Sequence, residues 1–170
     1  MELIPSFQVD HTKIRPGIYE SRVDEIGGDF ATTFDIRMKV PNREPAIHPN
    51  AMHTIEHVVA TFLRGDAQWK DRIVYWGPMG CLTGFYLILK GHPKPQELQP
   101  ILLRAFVHLR DYEGAVPGAT PLNCGNYLLH DLPMAKWEAA RYAEILGQRP
   151  CYDYPVTQRL VTKDGLFHDS

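Results

Sequence analysis

His53-Thr54-Ile55-Glu56-His57 constrains this chain more than any other stretch. Two histidines stand four residues apart, with a glutamate directly before the second. On an α-helix, positions i and i+4 stack on one face, so both imidazoles can reach one metal ion. Glu56 sits at the edge of that face with a carboxylate able to move protons. Met52, Ile55, Val59, Phe62 and Leu63 repeat at helical spacing and form an apolar stripe. His53, Glu56, His57 and Ala60 fall on the opposite side. Asn50 is the expected N-cap, accepting from the free amides of the first turn. The helix must therefore bury one face in a core and present the other to a site. The alternative is a solvated polar face carrying two chance histidines. H-x-x-E-H is a known metal-ligand arrangement and argues against that alternative.

A helix of this kind needs something to pack on, and residues 30–40 supply it. Phe30, Thr32, Phe34, Ile36, Met38 and Val40 share one face, while Asp35 and Arg37 lie on the other, as in a half-buried strand. Residues 17–26 form a weaker strand, joined to it by a hairpin turn at Gly27-Gly28. Residues 72–76 and 82–90 are two further strands around the turn Gly77-Pro-Met-Gly-Cys81. Residues 96–113 read as a helix, with Pro95 near its start and Gly114 after its end. Residues 134–146 read as another, opened by Pro133 and closed by Gly147. The fold class is α+β, an antiparallel β-sheet packed against helices on one face. At 170 residues the expectation is one domain, 1–170. Residues 151–170 carry no pattern.

Composition narrows the function. A formal net charge of −2 gives no nucleic-acid footprint. No apolar run approaches the roughly 20 residues of a membrane span. The first residues lack a basic region followed by an apolar core, so no secretory signal is expected. Three cysteines, an odd number, favour a reducing compartment, and the cytoplasm is the expected location.

Two histidines do not complete a metal site; a third protein ligand is needed, with one position open if the metal is catalytic. Cys81, Cys124, His11 and His130 are the candidates. Both Cys81 and Cys124 occur in glycine-containing turns that can bring backbone close to a ligand. A lone cysteine is more often a small buried hydrophobe. Arg37, on the polar strand face, is on its own a solvated arginine as readily as a binding residue. His130 fits either a buried hydrogen-bonded histidine or a group supporting a ligand. Cys151 has no supporting context.

Taken together, five segments resemble the LuxS family of S-ribosylhomocysteine lyases. They are Ser-Phe-Gln-Val-Asp-His-Thr from Ser6, Phe-Asp-Ile-Arg from Phe34, His-Thr-Ile-Glu-His from His53, Pro-Met-Gly-Cys-Leu-Thr-Gly-Phe-Tyr from Pro78, and Asn-Cys-Gly from Asn123 with His130 following. The resemblance implies a LuxS/metallohydrolase-like α+β fold and a homodimer with two active sites at its interface. It implies a divalent metal, ferrous iron in the native form and often zinc or cobalt after purification. His53, His57 and Cys124 match the metal ligands, and Glu56 and Cys81 match the two acid/base residues. Ser6, His11 and Arg37 match substrate-binding positions, the first two reaching across the interface. The implied reaction cleaves S-ribosylhomocysteine to homocysteine and 4,5-dihydroxy-2,3-pentanedione, the autoinducer-2 precursor. Two aldose–ketose isomerisations are followed by β-elimination. A Lewis acid that polarises the migrating carbonyl suits this chemistry, as do groups that both take and give protons. Cys81 would act as a thiolate, favoured by the charge of Arg37 or of the metal.

Two positions depart from the family pattern. Tyr75 stands where an acidic residue is usual, and Gly77 where serine is usual; both flank the expected homocysteine pocket. The competing readings are an inverzincin-like metallopeptidase and a divergent metal-binding homologue without turnover. A peptidase of that type draws its third ligand from a downstream carboxylate, whereas this chain offers Cys124-Gly125.

Overall fold

The computed structural model describes residues 9–155. Four strands, β1 (Gly17–Ile26), β2 (Asp29–Arg37), β3 (Ile73–Pro78) and β4 (Gly84–Lys90), form one antiparallel sheet in the order β1-β2-β4-β3. Three helices, α1 (Pro49–Gly65), α2 (Pro95–Arg110) and α3 (Leu132–Gln148), complete an α+β fold. Gly27 and Gly28 have φ of 59° and 88°. A two-residue hairpin needs positive φ at both central positions, and glycine alone adopts it without strain.

The apolar strand face and the helices share one core. Ile18, Phe34, Ile36, Trp76, Phe85 and Leu87 pack with Ile55 and Val59 of α1, Leu102 and Phe106 of α2 and Ala139 and Tyr142 of α3. Burying each large aliphatic side chain contributes about 1.5–3 kcal/mol, so the stripe on α1 decides which way its other face points. Met52, Ile55, Val59 and Leu63 are buried as the stripe requires, Phe62 only half so, and His53, Glu56, His57 and Ala60 are also only half-buried.

Three local expectations need correction. The N-cap of α1 is His48, whose ring nitrogen accepts from the Asn50 amide at 3.3 Å, with Pro49 opening the first turn. Proline is favoured there because its missing N–H would have had no intrahelical partner. Strand β2 ends at Arg37, because the amides of Met38 and Lys39 both turn to the carbonyl of Thr83, each at 3.0 Å. Lys39 then reaches Glu138 of α3 at 2.6 Å, with both side chains almost wholly buried.

The third correction concerns the polar face of β2, which is not solvated. Cross-strand register places Asp35 between Tyr19 and Tyr86, on the face away from the helices. Residues 151–155, which carry no sequence pattern, run back along this side. Cys151 forms a parallel bridge to Gly17, and Tyr154 stacks on Tyr19 at 4.6 Å between ring centroids. Asp35 and Arg37 are buried beneath, at 2 % and 3 % exposure. Among the described residues, no helix is long and apolar enough to cross a membrane.

Candidate metal centre

Between α2 and α3 the chain runs from residue 111 to 131 without a helix or strand, and crosses over the polar face of α1. Its turns are built by backbone hydrogen bonds. The amides of Asn123 and Cys124 both donate to the Thr120 carbonyl, at 3.1 and 3.0 Å, and Leu129 donates to Asn126 at 3.0 Å. Gly118, at φ 69°, lets the backbone bend in beside the His57 ring. A side chain there would be strained.

This crossing sets the ring chemistry of both motif histidines. His53 donates from Nδ1 to the Leu129 carbonyl, and His57 donates from Nδ1 to the Pro117 carbonyl, each at 2.7 Å. With the proton fixed on Nδ1, each Nε2 presents a bare lone pair. Both lone pairs meet the Cys124 thiol, whose Sγ is 3.4 Å from His53 Nε2 and 3.8 Å from His57 Nε2. Two imidazole nitrogens and a thiolate converging this closely fit a first-row divalent ion with one position left open.

His130 joins the cluster: the ligand atoms of His53, His57, Cys124 and His130 all lie within 4.8 Å of one another. Its ring, however, is stacked on that of His53 at 4.2 Å with an interplanar angle of 14°. Nearly parallel rings cannot both aim an in-plane lone pair at one ion about 2.0–2.1 Å away. The geometry therefore favours three ligands, with His130 bracing His53. His130 Nδ1 lies 3.1 Å from Thr54 Oγ1, a hydroxyl that also donates to Asn50 and accepts from the Asp131 amide. Burial, followed by the neighbouring His53 and His57, pushes the His130 pKa below the usual histidine value. Its Nε2 is buried without a hydrogen-bond partner among the described residues.

Glu56, on the same helix face, lines an open cavity of about 330 Å³ with His57, Ala60, Thr61, Trp76, Pro117 and Gly118. Cys81 and Arg37 do not line it. They meet on the other side of the sheet, where Arg37 Nη1 lies 3.9 Å from Cys81 Sγ and donates to Thr83 Oγ1 at 2.7 Å. Cys81 Sγ is 3.0 Å from the same hydroxyl and is exposed. Asp35 grips the guanidinium from behind, through Nε at 3.1 Å and Nη2 at 2.6 Å. Burial alone would lower the pKa of Arg37; the charge and hydrogen bonds of Asp35 outweigh it, and the net direction is up. His11 is bound through Nδ1 to the Val9 carbonyl at 2.8 Å, away from the metal cluster. Ser6 lies outside the described residues.

The sequence-derived candidates thus gather into two groups. His53, Glu56, His57 and Cys124 share one face of α1; Arg37 and Cys81 share the far side of the sheet. Asp35, Thr83 and Thr54 carry no functional assignment in the sequence, although all three fall within the motif segments. Asp35 had a signal, since it lies two residues before Arg37 on the same strand face.

A helix-borne histidine pair, a loop thiol and an adjacent carboxylate in an α+β frame define a metal-binding protein of the H-x-x-E-H class. Comparison with known proteins narrows the class. The family model for S-ribosylhomocysteinase (LuxS) matches residues 4–149. A Phocaeicola vulgatus protein named S-ribosylhomocysteine lyase is 60% identical over 169 residues, covering 99% of this chain and 98% of its own. Proteins of the same name from Porphyromonas gingivalis and Borreliella burgdorferi are 56% and 48% identical, over 84% and 86% of this chain and 89% and 94% of theirs. The chain belongs to the LuxS family.

Proposed function

We propose that the protein is a metal-dependent S-ribosylhomocysteine lyase that releases homocysteine and 4,5-dihydroxy-2,3-pentanedione. Family membership supports the reaction, and the convergence of His53, His57 and Cys124 beside Glu56 is the observation that carries it. The same donor set argues against the peptidase reading, because the third donor is a thiol and not a carboxylate.

The substrate dictates what the residues must do. Its C–S bond lies at C5, and elimination needs a carbonyl at C3 to acidify the C4 proton. The aldehyde at C1 must therefore move twice, each time by taking a proton from one carbon and delivering one to its neighbour. Loss of the C4 proton then expels homocysteine as a thiolate, which takes up a proton. His53, His57 and Cys124 would hold a divalent metal, which when bound supplies a Lewis acid for the carbonyl. Glu56, at the cavity edge, would exchange protons with the substrate oxygens and carbons nearest α1. Cys81 would serve the other side, with Arg37 beside it facing the polar end of the substrate. Ferrous iron is the proposed native metal, with zinc or cobalt as replacements; mixed nitrogen and thiolate donors suit all three.

The separation of the two groups by the sheet is best explained by a homodimer. The metal face of one chain would meet the Cys81–Arg37 face of the second, completing two sites. Leu122 and Leu128, on either side of Cys124, are 92% and 76% exposed, as expected of residues that a second copy covers. Ser6 and His11 would then act with Arg37 in binding the substrate. The whole chain would act as a single catalytic domain in the cytoplasm, serving methylation by-product recycling and autoinducer synthesis.

Subunit complementation tests this directly. Cys81→Ala and Cys124→Ala proteins should each be inactive in thiol release from S-ribosylhomocysteine. Co-expressed, they should recover about a quarter of wild-type activity, because half the dimers would contain one intact site out of two. No recovery in verified mixed dimers would refute the composite site.

A further inference from the structure

We propose that residues 151–155 are a positioning element of the substrate-facing half-site, with Tyr154 holding Asp35 and, through it, Arg37 behind Cys81. The inference rests on the reading above that Arg37 faces substrate.

The segment is pinned at both ends. The amide of Ile18 donates to the Cys151 carbonyl at 2.9 Å, and a Cβ on Gly17 would collide with that same backbone. Glycine at position 17 is what allows the approach. At the other end, the Asp10 amide donates to the Pro155 carbonyl at 3.3 Å, which ties in the segment bearing His11. Between these anchors the Tyr154 ring lies flat on Tyr19, the planes 8° apart. Its hydroxyl donates to Asp35 Oδ2 at 2.9 Å.

That hydroxyl has one use the fold alone does not require. Asp35 Oδ2 also accepts from Arg37 Nη2 at 2.6 Å, while Oδ1 accepts from Nε at 3.1 Å. The two bonds to Oδ2 fix the carboxylate plane, and the carboxylate fixes the guanidinium plane. Only then does Nη1 project towards Thr83 Oγ1 and Cys81 Sγ. Burial, followed by the charge of Asp35, pushes the Tyr154 pKa upward, so the phenol stays a donor throughout the physiological range. The Tyr154 hydroxyl bonds Asp35 and its ring stacks on Tyr19, so it reaches Cys81 only through Asp35 and Arg37 and is a positioning residue.

Tyr154→Phe keeps the stacking and deletes only the hydroxyl. The variant should stay folded and keep its metal content, with a melting temperature lower by several degrees at most, since one buried hydrogen bond to a carboxylate is lost. Its KM for S-ribosylhomocysteine should rise about tenfold with kcat within about twofold, as for loss of one hydrogen bond to a charged group. Asp35→Asn should raise KM in the same direction, and the double variant should be no worse than Asp35→Asn alone, because Tyr154 acts through Asp35. A wild-type KM in Tyr154→Phe, or additive effects in the double variant, would overturn the inference. Arg37→Ala separates the two levels. If its KM is unchanged, the substrate-facing role of Arg37 fails; if it rises while that of Tyr154→Phe does not, the positioning role alone fails.

Discussion

His57 and Pro117 are joined by a 2.7 Å hydrogen bond across 60 residues of sequence, from the ring Nδ1 to the backbone carbonyl. With the matching bond from His53 to Leu129, it pins an irregular segment onto α1 through the two histidines proposed to hold the metal. Chelation should therefore loosen that segment before the helix. The expected result is a melting temperature lower by about 5–10 °C. Amide exchange should rise across residues 115–131 and little within α1. Equal protection with and without metal would show that the crossing is held by other contacts.

Metal retention and turnover should separate cleanly among single variants. Cys124→Ala should lose metal, as measured by elemental analysis, because two imidazoles alone hold an ion weakly. Glu56→Gln and Cys81→Ala should keep metal at wild-type stoichiometry while thiol release falls by at least about 100-fold. Full turnover in either of the latter would remove that residue from the chemistry.

Lys39 and Glu138 make a different kind of prediction, about stability alone. Their ion pair, at 2.6 Å, is 3% and 7% exposed. Replacing either partner leaves the other charge buried and uncompensated, which costs about 3–5 kcal/mol. Lys39→Met and Glu138→Leu should each lower the unfolding free energy by that amount, read from chemical denaturation curves. The double variant should recover most of it, because two apolar groups of similar volume leave no orphaned charge. A double variant as unstable as the sum of the singles would argue that the pair is stabilising in itself.

Tyr75 and Gly77, the two departures from the family pattern, prove to be one feature. A Cβ on Gly77 would collide with the Tyr75 hydroxyl, so the phenol lies across the bare glycine backbone. Gly77→Ser should displace the ring and raise KM several-fold, whereas Gly77→Ser combined with Tyr75→Asp should do less harm than Gly77→Ser alone. Steady-state kinetics on the four proteins of this cycle decide the point; strictly additive effects would mean the two positions are independent.

Much of this was legible in the sequence, and for physical reasons. The stripe on α1, the alternation through Phe34 and Ile36 and the Gly27-Gly28 turn are local patterns, and burial of apolar surface enforces them. The helix ends at Pro95 and Leu132 follow from the same local rules, with prolines in the first turn. The cluster that could hold a metal was legible because helix periodicity places His53 and His57 together, and the family resemblance supplied Cys124.

The unread parts depend on contacts between distant segments. Alternation correctly sent Arg37 to the polar face, but a polar face is solvated only if nothing covers it. What covers it is residues 151–155, whose composition has no periodicity, and whose place is set by Gly17, Tyr19 and Asp35 together. His130 was ambiguous for a similar reason: its partners are His53 and Thr54, 76 residues away in the case of Thr54. Nor could the sequence reveal that the sheet stands between Glu56 and Cys81, since both belong to one family motif set.

The order in which these pieces occur along the chain has a consequence for biosynthesis. All the proposed metal donors precede residue 131, whereas the Tyr154 hydroxyl that donates to Asp35 comes later, from residues 151–155. During vectorial synthesis the ion-binding face can emerge from the ribosome while the strand bearing Arg37 still lacks its lid. A nascent chain could then capture its ion before its opposite side is able to grip a substrate.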